Sequence, residues 1–330
     1  MGLESDSRPS GRLSDYIALA RPDHWIKHVF ILPGIALAWV LHGRLPEDVA
    51  AHVVLGFASA ALLSSANYVI NEWLDRETDR HHPIKSSRPA VAKRLSLGAV
   101  AGLYAALAIL GMGLALSVAP LFAVVTGLFL VSGIVYNVWP LRSKDVPYLD
   151  VLSEAVNNPI RLTLGWAMVD FSTLPPSSLL LAYWMGGAFL MAVKRLAEYR
   201  AVEAQAGGKA LASYRRSFAF YSEPRLLVSV LIYALMAAFF LAVFLIKYRI
   251  EYLLAFPFVA LLFGQYLRLG LAEESTAQAP ERLFRERRLL IVVGLVVVVF
   301  GLLTWLDLPW LDQLTDPHFI RLSGASRGGP

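Results

Sequence analysis

Apolar residues fall in long blocks separated by short polar connections, at roughly 24–43, 50–73, 95–116, 118–138, 149–170, 177–196, 226–247, 250–271 and 289–307. At about 1.5 Å of rise per residue, each block is long enough, or nearly so, to cross a hydrocarbon layer of about 30 Å as a helix. The ten-residue alternation of a membrane barrel does not appear, and an open sheet cannot satisfy its backbone in lipid. The pattern predicts an all-α integral membrane protein, a bundle of nine transmembrane helices. Residues 1–14 read as a polar tail without the apolar core of a signal peptide, 15–310 as the nine-span unit, and 311–330 as a loosely ordered second tail.

Composition supports the membrane reading, because 57% of the 330 residues are hydrophobic and only 17% charged. There is no cysteine, which removes disulfides, thiol catalysis and cysteine-rich metal sites. The net charge of +5 does not point to nucleic acid, since basic residues in such a chain first set topology. With the N-terminus inside, 24 of the 30 Lys and Arg fall in inner segments and five in outer ones. The positive-inside rule then orients the bundle in the cell membrane with its N-terminus cytoplasmic and its C-terminus outside.

Two acidic stretches interrupt this pattern at inner span ends. The first, 71–79, reads Asn-Glu-Trp-Leu-Asp-Arg-Glu-Thr-Asp. On a helix, Asn71, Glu72, Asp75 and Asp79 share one arc of about 100°. Clustered carboxylates repel unless a cation sits among them, and hard oxygen ligands suit Mg²⁺, which completes its shell with substrate phosphates. The stretch therefore predicts a diphosphate held through Mg²⁺ in a cytoplasm-facing polar cavity. Lys27, at the entry of span one, reads as a phosphate ligand or a snorkelling anchor. Lys85 and Arg88, just beyond the acids, read as phosphate ligands or as headgroup contacts.

The second stretch opens span five, where Asp150 and Glu154 lie four apart on one helix face, with Asn157 and Arg161 on the same stripe. An arginine at that depth costs a few kcal/mol or more unless paired. Arg161 should thus face a polar cavity or pair with an acid such as Glu154. Pro159 interrupts this span and frees a backbone carbonyl. Tyr136 ends span four, Lys144 follows in the inner loop, and Lys194 shares a helix face with Glu198. All three are candidates for substrate contact.

N-D-x-x-D-x-x-x-D after the second span, with D-x-x-x-D opening the fifth, resembles the UbiA superfamily of intramembrane prenyltransferases over about residues 15–305. Asn71, Asp75, Asp79 and Asp150 match directly, while Glu72 and Glu154 stand where the family has aspartate. Three further stretches resemble the decaprenyl-phosphate phosphoribosyltransferase branch: Arg-Pro-x-x-Trp-x-Lys at 21–27, His-Pro-x-Lys-x-x-Arg-Pro at 82–89 and Lys-Arg-x-x-Glu at 194–198. The resemblance implies Mg²⁺ bound by Asn71, Glu72, Asp75, Asp79, Asp150 and Glu154, with Asp75, Asp79 and Asp150 central to catalysis. It further implies 5-phosphoribosyl diphosphate as donor and a polyprenyl phosphate as lipid acceptor. A polyprenyl diphosphate-dependent prenyltransferase for a small aromatic acceptor is the alternative. A transporter of phosphorylated solutes is disfavoured, because the acids sit at the inner face and no inverted repeat appears.

Overall fold

The computed structural model describes residues 9–80, 85–278 and 280–311. His81, His82 and most of both tails lie outside the described residues, as does the Lys85 side chain. Among the described residues the regular structure is all helical, apart from one isolated bridge between Ser10 and Arg94. Eight of the helical segments are long and apolar enough to cross a membrane. We number the long helices α1 (Leu32–His42), α2 (Val49–Asp79), α3 (Leu97–Val118), α4 (Pro120–Asn137), α5 (Leu149–Ala155), α6 (Asn157–Ala167), α7 (Ser177–Ala206), α8 (Glu223–Tyr248), α9 (Phe256–Gly270) and α10 (Arg287–Trp305).

Three expected spans differ in detail, and proline explains each. The first is a 3₁₀ segment, Pro22–Ile31, that runs into α1, with Pro33 just inside the junction. The eighth begins as a 3₁₀ turn, Ile250–Ala255, before Pro257 opens α9. The fifth is not one helix but two, α5 and α6, meeting at Val156. Pro159 has no N–H to give a carbonyl in the preceding turn, so the helix restarts there.

Inward faces are apolar and tightly packed. α7 runs along α8, α2 along α3, and α6 against α1. The α1–α6 crossing is the closest: a Cβ placed on Gly34 would overlap the Leu162 carbonyl oxygen, and one on Gly165 would overlap that of Ile31. Small residues let helix backbones meet in this way. Outward faces carry large apolar residues such as Val54, Ile109, Leu128, Ile291 and Val297, all exposed, as a lipid-facing surface requires. Charge collects instead at one end of the bundle, where α2, α4, α5 and α7 finish or begin.

Candidate active site

A cavity of about 200 Å³ opens at that end. Nine Lys or Arg side chains and six carboxylates line it, so its walls carry more positive than negative charge. The last two turns of α2 supply Asn71, Glu72, Asp75 and Asp79, as the helical spacing predicts. Across the cavity, α5 brings Glu154 and α7 brings Lys194, Arg195 and Glu198.

Each acid is met by a cation or an amide. Lys144 Nζ donates to Asp75 Oδ1 at 2.6 Å, to Asn71 Oδ1 at 3.1 Å and to Asn137 Oδ1 at 2.8 Å. Arg142 Nη2 reaches the same Asp75 oxygen at 2.8 Å. Arg88 Nη1 donates to Asp79 Oδ2 at 2.8 Å, and the Ala90 backbone N–H to Glu72 Oε1 at 3.3 Å. Lys144 is only 6% exposed, and burial pushes its ammonium down to about 8, against the opposing pull of Asp75.

The second motif divides its labour. Glu154 lines the cavity, accepting from Arg195 Nη2 at 2.6 Å and from the Tyr136 hydroxyl at 3.0 Å. Asp150 does not line it. Its exposure is 0%, and its oxygens are taken by the Tyr221 hydroxyl at 2.6 Å, Ser217 Oγ at 3.2 Å, Arg195 Nε at 3.2 Å and Arg215 Nε at 3.3 Å. Arg195 is thereby clamped by three carboxylates, since its Nη1 also donates to Glu198 at 3.0 Å. Asp150 thus holds the arginines behind Glu154, and of the two acids of the second motif only Glu154 lines the cavity.

Lys27, Arg88, Tyr136, Lys144 and Lys194 do line the cavity, whereas Asn157 and Arg161 do not. Asn157 is occupied at the α6 entry, accepting from Ser132 Oγ at 2.9 Å and donating to the Glu154 carbonyl at 3.0 Å. Arg161 makes no ion pair with Glu154. Its guanidinium lies 5.2 Å from the centroid of the Phe129 ring.

The sequence reading missed Arg142, Arg195 and Arg215. Arg195 stands next to Lys194, about 100° further round the helix, and it is the arginine, not the lysine, that bridges both acids of the second motif. Arg215 comes from the 206–222 connection, whose only signal was its pair of arginines.

No group of three or more acids or histidines closes around a single point among the described residues. Mg²⁺ takes one or two carboxylates and leaves the remaining positions to water and phosphate. The motif donors facing the cavity, Asn71, Glu72, Asp75, Asp79 and Glu154, are all hard oxygens and fit such an ion.

A bundle of this kind, with two acidic motifs at one end, defines an intramembrane transferase. The chain belongs to the UbiA prenyltransferase family, whose model matches residues 29–288. It is 29% identical over 214 residues to the decaprenyl-phosphate phosphoribosyltransferase of Mycolicibacterium smegmatis, covering 64% of this chain and 65% of that one. It is 33% identical over 169 residues to an uncharacterized protein of Sinorhizobium fredii, covering 49% of this chain and 30% of that one. The match thus spans less than two thirds of these relatives. In fold it is similar to a UbiA homologue from Archaeoglobus fulgidus bound to DMAPP and Mg²⁺, with a TM-score of 0.65 at 21% identity over 88% of this chain and all of the other.

Proposed function

We propose that the protein transfers a 5-phosphoribosyl group from 5-phosphoribosyl diphosphate to a polyprenyl phosphate and releases diphosphate. The observation that carries this reading is the charge of the cavity: nine cations against six carboxylates among the side chains that line it. A prenyl diphosphate has one phosphorylated end. A phosphoribosyl diphosphate has two, and a lipid phosphate acceptor adds a third anionic group.

Asn71, Glu72, Asp75, Asp79 and Glu154 would hold Mg²⁺, which would supply neutralising charge to the departing diphosphate. The chain's own groups then position the reactants. Lys144 and Arg142 fix Asp75, Arg88 fixes Asp79, and Arg195 with Tyr136 fixes Glu154, so the acids meet the donor without reorganising. The bond from ribose carbon 1 to the diphosphate oxygen breaks, and its electron pair leaves with diphosphate. A lipid phosphate oxygen bonds to the same carbon from the opposite face. Little proton transfer is needed, because the acceptor is already ionised. Lys27, Lys85, Arg88 and Lys194 are assigned to the remaining phosphates, with the cavity facing the cytoplasm.

The test is transfer of label. Purified protein given radiolabelled 5-phosphoribosyl diphosphate, Mg²⁺ and a long polyprenyl phosphate should yield label in the organic extract. Prenylation of 4-hydroxybenzoate from a polyprenyl diphosphate, with no ribosyl transfer, would replace this reading with the prenyltransferase one.

A further inference from the structure

Three residues of α2, Asn67, Asn71 and Asp75, stand four apart and share one face of that helix. Phe129, Gly133 and Asn137 do the same on α4, which packs against it. Side-chain amides join the two stripes. Asn67 Nδ2 donates to the Phe129 carbonyl at 3.0 Å, and a Cβ placed on Gly133 would overlap the Asn67 amide. One turn further on, Asn137 Nδ2 donates to the Gly133 carbonyl at 2.9 Å.

Asn137 is 3% exposed and does not line the cavity, yet both cations on Asp75 are tied to it. Its side-chain oxygen accepts from Lys144 Nζ at 2.8 Å. It is also the last residue of α4, so its backbone carbonyl is one of those that a helix end leaves unpaired, and Arg142 Nη1 donates to it at 3.1 Å. Arg142 itself has a positive φ of 21°, a conformation that a non-glycine residue keeps only where its surroundings fix it.

The amide of Asn137 cannot be turned over. Lys144 only donates and the Gly133 carbonyl only accepts, so the oxygen must face the one and the nitrogen the other. An ammonium has three N–H groups, and those of Lys144 go to Asp75, Asn71 and Asn137 at 2.6, 3.1 and 2.8 Å. Lys144 therefore acts on a ligand by its charge and through Asp75. Of the three oxygens that set its place, only the one on Asn137 comes from outside the acidic motif. We propose that Asn137 is a positioning residue for that motif. It holds Lys144 by its amide and Arg142 by its carbonyl, and so sets where Asp75 stands for a diphosphate bound with Mg²⁺. The assignment rests on the diphosphate half of the proposed function and holds for either donor.

The test reads the binding of inorganic diphosphate with Mg²⁺ to purified full-length protein by calorimetry. Asn137→Leu keeps the size of the side chain and removes both of its polar groups. It should weaken binding about three- to tenfold, the range of one hydrogen bond. Lys144→Met should weaken it about tenfold, and the double variant should bind no more weakly than Lys144→Met alone. A residue that only packs would instead give losses that multiply. In transfer, Asn137→Leu should raise the donor KM and leave the acceptor KM and kcat within a few-fold. Should Asn137→Leu not fold, Asn137→Asp decides the matter. It has the same size and pairs with Lys144, but it draws the ammonium off Asp75 and should also weaken diphosphate binding. Wild-type affinity in a folded Asn137→Leu or Asn137→Asp, or losses that multiply in the double variant, overturns the positioning role alone. Wild-type protein that binds no diphosphate with Mg²⁺ sinks the diphosphate reading itself.

Discussion

The ammonium of Lys144 lies 2.6 Å from Oδ1 of Asp75, although 69 residues separate them in the chain. The loop after α4 thus reaches back to hold the acid at the end of α2. Asp75 keeps Arg142 when Lys144 is removed, so the two substitutions differ in outcome. Asp75→Asn should abolish turnover, and so should EDTA. Lys144→Met should leave kcat within a few-fold and raise the donor KM about tenfold, the low end for loss of one charge-assisted contact. Steady-state kinetics with varied donor reads both. Full activity in EDTA rules out diphosphate held through a metal.

Arg195 is 1% exposed and serves Asp150, Glu154 and Glu198 at once. Removing it takes the shared cation from three carboxylates and leaves them to the Arg215, Tyr221, Ser217, Tyr136 and Lys194 contacts. Breaking a buried ion pair from one side costs about 3 to 5 kcal/mol. Arg195→Met should therefore lower the Tm far more than Lys194→Met, whose partner Glu198 lies 3.9 Å away. Equal losses in a thermal-shift assay would mean that the clamp is not a structural element.

Asp170 sits at the opposite end of the bundle and pairs with His42 at 3.1 Å. Burial pushes its carboxyl up, but hydrogen bonds from Thr173 and Ser172, together with the His42 charge, outweigh that and hold it down at about 2. A carboxylate with a depressed folded pKa stabilises above its unfolded value near 4, and that stability is lost as pH falls toward 2. Asp170→Asn should cost about 1 to 2 kcal/mol at neutral pH and flatten the dependence of Tm on pH between about 4 and 2. An unchanged acid limb in the variant would assign that limb to other carboxylates.

Orientation is tested by chemistry, because the chain has no cysteine of its own. Single cysteines at Ser86, beyond α2, and at Glu47, between α1 and α2, should react with a membrane-impermeant maleimide from opposite faces. In intact cells Glu47→Cys should label and Ser86→Cys should not. The reverse pattern would turn the cavity away from the cytoplasm.

Much of the site was legible because α2 is a regular helix. Its period alone places Asn71, Glu72, Asp75 and Asp79 on one wall, and all four line the cavity. The same rule could not show that Asp150 is covered, because spacing says which side of a helix a residue occupies but not what covers that side. Arg215, Ser217 and Tyr221, from a connection well over fifty residues later in the chain, close over Asp150. The broken fifth helix was visible only as Pro159, and Arg195 was hidden by a neighbour of the same charge. Long-range partners of this kind leave no periodic trace.

The glycine crossing of α1 and α6 has a consequence for traffic. Where the backbones at Gly34 and Gly165 leave no room for a single methyl group, no isoprene unit can slide between them. That seam is a closed door. On the proposed reaction, a lipid tail arriving from the bilayer would have to enter through a different pair of helices, while the water-soluble donor would come from the charged end of the bundle. The two reactants would then approach the same centre by routes that do not cross.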